Sequence, residues 1–116
     1  MSVEIKIYKS PFAKTELRDI AQQQFGTLVK AVVDVSREII AIGGELHADE
    51  EAVLLEDGSR QEDVWGINLY PEKSDDEWIE YDSMINVRPS QNNASRGVED
   101  AAIREKITLV VRKLVI

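Results

Sequence analysis

The sequence predicts an α+β fold: a mainly antiparallel sheet of about five strands, with a long C-terminal helix and two shorter helices packed on it. Three observations predict it. Short runs rich in β-branched residues or alternating with period two recur through the chain, a stripe of apolar residues at helical spacing fills its last turns, and the implied order of elements is neither regularly alternating nor all of one type. At 116 residues the whole of 1–116 reads as one domain with one core.

Val3, Ile5 and Ile7 alternate with Glu4, Lys6 and Tyr8, which is the pattern of a strand with one buried face. After Ser10-Pro11, residues Leu17, Ile20, Ala21 and Phe25 recur at helical spacing up to Gly26, predicting a helix over 14–25. Leu28 to Val35 and Ile39 to Ile42 flank the polar Ser36-Arg37-Glu38 and read as a hairpin, closed by Gly43-Gly44. The spacing of Ala48, Ala52, Val53 and Leu54 or Leu55 suits a short helix ending at Gly58, with His47 or Asp49 at its start. Val64 to Tyr70 and Trp78 to Arg88 read as two further strands about a polar turn at 71–76. Finally Asp100 is a good N-cap for a helix carrying Ile103, Ile107, Val110, Val111 and Leu114 on one stripe. The expected arrangement places the helices over one face of the sheet.

Composition narrows the function. There is no cysteine, which excludes a disulfide framework, a thiolate metal site and a cysteine nucleophile. No apolar run approaches the length that spans a bilayer and the N-terminal MSVEIKIYKS alternates, so a soluble, cytoplasmic protein with no membrane partner is expected. The net charge of −8 is uneven: residues 45–82 carry 2 basic and 14 acidic groups, whereas residues 83–116 carry 6 and 3. Such an acidic protein repels phosphate backbones, so broad nucleic-acid binding is not expected, while the basic C-terminal third can hold an anion locally.

Three strings stand out together: GGELHADEEAVLLEDGS at 43–59, WGINLYPE at 65–72 and DSMINVRPSQNNASRGVED at 82–100. With the QFG at 24–26 they resemble a family of small, mostly bacterial single-domain proteins defined as a domain of unknown function. The resemblance implies such an origin and no catalytic residue, substrate or cofactor.

Candidate site residues therefore rest on chemistry. His47, the one histidine, lies among Glu45, Asp49, Glu50 and Glu51 and is the candidate acid or base; a lone nitrogen ligand with carboxylates makes a poor zinc or iron site, so no metal is assigned. The more economical account is a helix start whose acidic residues face its positive dipole end. Gly66 marks a bulge or a close approach, and Asn68 two residues on offers a donor and an acceptor. On the strand expected over 78–88, Asp82, Met84, Asn86 and Arg88 share one face and run into a loop containing Asn92 and Arg96. Either this polar row is simply washed by solvent, or Arg88 and Arg96 clamp a carboxylate or phosphate. Pairing of Arg88 with Glu80 and of Arg96 with Glu99 is the structural alternative for these arginines.

Two functional classes follow. In the first, Glu45 and His47 on one side and Asn68, Asp82, Asn86, Arg88, Asn92 and Arg96 on the other form a polar pocket for a small anionic ligand; if catalytic, it performs hydrolysis or transfer with His47 as acid or base. Ser83 or Ser95 is conceivable as a nucleophile in that case, though neither lies in a nucleophile-elbow sequence. In the second, the chain is a protein–protein interaction module without chemistry, self-associating as a homo-oligomer, and an exposed Trp65 or Trp78 would favour it.

Overall fold

A computed structural model of the chain describes residues 3–74 and 77–116. Its five strands are β1 (Lys6–Tyr8), β2 (Val29–Asp34), β3 (Ile39–Ile42), β4 (Val64–Leu69) and β5 (Ile79–Glu80), and its helices are α1 (Lys14–Gln23), α2 (His47–Glu56) and α3 (Ala101–Leu114). The strands form one sheet in the order β1-β3-β2-β4-β5, every neighbouring pair antiparallel. The α+β architecture expected from the sequence is the observed one. Of the polar turn expected at 71–76, Asp75 and Asp76 lie outside the described residues.

The β2–β3 hairpin turns where the polar tripeptide predicts it. Asp34 closes that turn by accepting the N–H groups of Ser36 and Arg37, each at 2.9 Å, and Glu38 takes a positive φ of 56°. In α3, the Asp100 side chain accepts the Ala102 N–H at 2.8 Å, which satisfies one of the free donors of the first turn. Ile107, Val110, Val111 and Leu114 are buried on its apolar stripe.

The helices do not share one face, contrary to expectation. Val29, Ala31 and Val33 of β2 with Trp65, Ile67 and Leu69 of β4 pack under α1 and α3, whereas Val32, Ile39, Ala41 and Val64 pack with Leu54 of α2. Consecutive residues of β2 and β4 are thus buried on opposite sides, because both faces of these strands are covered. The sheet is the middle of three layers.

The second correction concerns 78–88. Only Ile79 and Glu80 pair with β4, opposite Leu69 and Asn68; the chain then leaves the sheet and forms 3-10 turns at Met84–Asn86 and Pro89–Gln91. Ser83 caps the first of these turns, its hydroxyl accepting the Ile85 N–H at 3.3 Å. Strand periodicity therefore does not apply to Asp82, Asn86 and Arg88, and the solvent-washed alternative fails for Asn86 and Arg88. Asn86 is fully buried and Arg88 is 8% exposed.

Candidate functional site

Beyond its short pairing with β5, the outer edge of β4 is completed by side chains. The Asn86 amide imitates a strand: its Oδ1 accepts the Gly66 N–H at 2.9 Å and its Nδ2 donates to the Gly66 carbonyl at 2.9 Å. Nδ2 also donates to the Arg96 carbonyl at 3.0 Å, tying the returning loop to the same point. This seating needs Gly66, because a Cβ there would lie 2.6 Å from both Cβ and Oγ of Ser83. The close approach that the strand glycine signals is made by the chain's own Ser83.

Arg88 continues the edge. Its Nε donates to the Ile85 carbonyl at 2.9 Å, its Nη2 donates to the Val64 carbonyl, and the guanidinium lies 4.6 Å from the centre of the Trp65 ring. Its ionic partner is Glu51 at 3.5 Å rather than Glu80. Burial lowers the Arg88 pKa and raises that of Glu51, while the attraction between the two opposes both shifts.

The amide-rich loop is likewise occupied with itself. Asn93, one of the hydrogen-bonding residues that the loop sequence offers, donates to the carbonyls of Asn86, Ser95 and Gly97 and accepts the Glu99 N–H. Asn92 supplies a left-handed turn with φ 59° and is exposed. Arg96 pairs with Asp82 at 2.7 Å instead of Glu99, whose carboxylate accepts the N–H groups of Ala94 and Ser95. Asn68 donates to Glu80 at 2.8 Å, and its Oδ1 is buried with no hydrogen bond.

What remains open is a cleft of about 200 Å³ lined by Lys30, Leu46, His47, Ala48, Ser83, Met84, Ile85 and Arg96. It brings His47 and Arg96 together and adds Lys30. It does not include Glu45, Asn68, Asp82, Asn86, Arg88 or Asn92. Lys30 escapes a reading by motif because its place depends on β2 lying under the start of α2.

Neither His47 nor Asp49 caps α2. The N-cap is Leu46, which supplies no side-chain hydrogen bond, so the first N–H groups of the helix lack a side-chain acceptor beside the cleft. The His47 ring meets the Ile67 carbonyl through Nε2 at 2.8 Å. A carbonyl only accepts, so Nε2 carries the proton, and burial lowers the pKa and keeps the ring neutral near pH 7.

One turn further along α2, the buried Glu50 accepts the Gly44 N–H at 2.9 Å through Oε2, while Oε1 has no partner. Burial drives its pKa well above 4.5, with the Gly44 hydrogen bond and Lys30 opposing the shift. An unfolded glutamic acid loses its proton first on raising the pH, so Glu50 lowers stability from about pH 4.5 upward through its folded value. Glu50→Gln keeps the acceptor without the charge. We expect it to be at least about 1 kcal/mol more stable than the parent at pH 7 and nearly equal at pH 4 in urea unfolding; lower stability at pH 7 would refute the assignment.

Among the described residues no group of three or more histidine, cysteine, aspartate or glutamate side chains is placed to hold a metal ion. No described helix is long and apolar enough to cross a membrane. No curated protein and no solved structure matches the chain. The model of the family described as "Protein of unknown function (DUF5674)" matches residues 6–114, which include all three of the strings that carry the resemblance. The chain belongs to that family.

Proposed function

We propose that the cleft at the start of α2 binds a small organic anion, a carboxylate or phosphate attached to a short apolar body. The observation that carries this reading is the convergence of Lys30, Arg96 and His47 on one cleft at a helix N-terminus without a side-chain cap. Arg96 uses its Nε for Asp82 and has no other side-chain hydrogen bond among the described residues, which leaves its terminal nitrogens for an anion. The positive end of the α2 dipole adds to the same field. Leu46, Met84 and Ile85 provide the apolar wall, and a volume near 200 Å³ limits the ligand to a few heavy atoms beyond its charged group.

The reading is binding rather than hydrolysis. Ser83 is 1% exposed and packs against Gly66, so its hydroxyl is not presented as a nucleophile. His47 commits its Nε2 proton to Ile67 and its ring is neutral, so Lys30 and Arg96 carry the positive charge of the cleft.

Titration with acetate, butyrate, hexanoate and inorganic phosphate, followed by amide chemical shifts, tests the proposal. We expect the four-carbon and six-carbon acids to shift Leu46 to Ala48 and Met84 to Arg96, and Lys30→Ala with Arg96→Ala to weaken binding at least about tenfold while the chain remains folded by circular dichroism. Binding of equal strength in that double variant would remove the proposal. So would an absence of shifts at every concentration up to about 20 mM, which corresponds to less than about 2 kcal/mol of binding.

A further inference from the structure

The two edges of the sheet are treated differently by the sequence. On the β4 side, β5, Asn86 and Arg88 occupy the outward-facing backbone groups. On the other side, β1 pairs with β3 alone among the described residues, and its outer edge carries no strand. An open edge is a template for pairing with another chain.

The register fixes which backbone groups that edge offers. Gly66 turns its N–H and C=O away from β2, toward Asn86. Its opposite residue Val32 therefore directs its own groups to β3, where it faces Ala41, and Ala41 in turn directs its groups to β2. Ile7, which faces Ala41 from β1, is left with its N–H and C=O pointing outward. Residues 3–5 lead into β1 without a strand partner of their own, and extending the alternation back through them gives Ile5 the same direction. A second strand must then bond to the odd-numbered residues.

We propose that β1, extended back to Val3, pairs antiparallel with the same segment of a second copy, with Ile5 on the two-fold axis, so that two five-stranded sheets join into one. Only even register sums bring odd residues opposite odd residues. With Ile5 on the axis, Val3 meets Ile7 of the second copy, and Glu4 meets Lys6 of the second copy twice over. These charged pairs fall at positions without ladder hydrogen bonds, where facing side chains approach most closely. A shift to either neighbouring register puts Glu4 opposite Glu4 or Lys6 opposite Lys6. Charge complementarity thus selects both the occupant and its register.

The neighbouring surface suits this pairing. Glu4 and Lys6 are exposed, Ile5 and Ile7 are half-buried, and an open groove of about 420 Å³ between β1 and α1, lined in part by Glu4, Lys6, Tyr8, Glu16 and Asp19, leaves room for arriving side chains. Both tryptophans are buried, Trp65 at 2% and Trp78 at 4% exposed, so neither supplies the interface anchor that the sequence alone suggests. The strand edge takes that role.

Sedimentation velocity on the full chain, with circular dichroism to check folding, tests the proposal. We expect the parent to form dimers in the micromolar range, and Glu4→Lys or Lys6→Glu alone to weaken association at least about tenfold, since both pairs then become like-charged. Mixing the Glu4→Lys chain with the Lys6→Glu chain restores opposite charges at both positions and should recover a one-to-one dimer. A parent that stays a single chain up to about 200 µM overturns the proposal, and Glu4 and Lys6 would then be charges that keep the edge unpaired. A parent dimer indifferent to both reversals also overturns it.

Discussion

Asn86→Asp is expected to lose at least about 3 kcal/mol of unfolding free energy at pH 7, measured by urea unfolding. The native amide supplies one acceptor and two donated bonds at a fully buried position. Aspartate is nearly the same shape and keeps the acceptor for the Gly66 N–H. It loses both donations, however, and turns a negative charge toward the carbonyls of Gly66 and Arg96. Each buried polar group left unsatisfied costs about 1–3 kcal/mol, and a buried unpaired charge costs more.

The pH dependence distinguishes this cause from a loss of packing. Burial and the facing carbonyls raise the folded pKa of the new carboxyl. Its protonated form, which restores one donor, is therefore most favourable below the unfolded value near 4, and the stability it confers is lost as the pH rises through the folded value. The deficit relative to the parent should shrink between pH 7 and pH 4. A variant within about 1 kcal/mol of the parent at pH 7 would mean that Asn86 does not hold the β4 edge.

The misreading of 78–88 as one strand has the same physical origin. Asp82, Met84, Asn86 and Arg88 do alternate, but alternation records which face a side chain takes only when the backbone stays in a ladder. Here two side chains replace the ladder, and their partners at Gly66 and Val64 lie 20 and 24 residues away. No local pattern carries that information. Ser83, able to cap a turn, and Pro89 are the available local hints against a long strand.

Where elements are held by their own sequence, the reading agrees with the structure. Helix α3 runs from its Asp100 cap to Leu114, the hairpin turns at Asp34 to Glu38, and Gly58 follows α2 with φ of 108°. The division of helices between two faces was not legible, since a run such as Ile39 to Ile42 is equally apolar on either side. The cleft was half legible. His47 and Arg96 carry recognisable chemistry, whereas Lys30 in the middle of a strand becomes relevant only once α2 is laid over β2.

The arginines also separate on this basis, and Arg88→Ala shows how. Removing the side chain strands the carbonyls of Val64 and Ile85, bares the Trp65 ring and leaves the Glu51 carboxylate, 14% exposed, without its partner. Breaking such a buried pair from one side costs about 3–5 kcal/mol, and a loss near the lower figure is expected because the pair is separated by 3.5 Å and Glu51 retains some solvent. Glu51→Gln in the Arg88→Ala background should return about 1 kcal/mol, since it removes the orphaned charge; the same change in the parent should be destabilising. Arg88→Lys should rescue little, because one ammonium cannot reach the two carbonyls that the guanidinium fork serves together. Arg96→Ala, at an exposed pair with Asp82, should change stability by less than about 1 kcal/mol and act on anion binding instead. Should Arg88→Ala unfold at the parent's urea midpoint and abolish anion binding, Arg88 would be a ligand group after all, and the division between a structural and a binding arginine would be reversed.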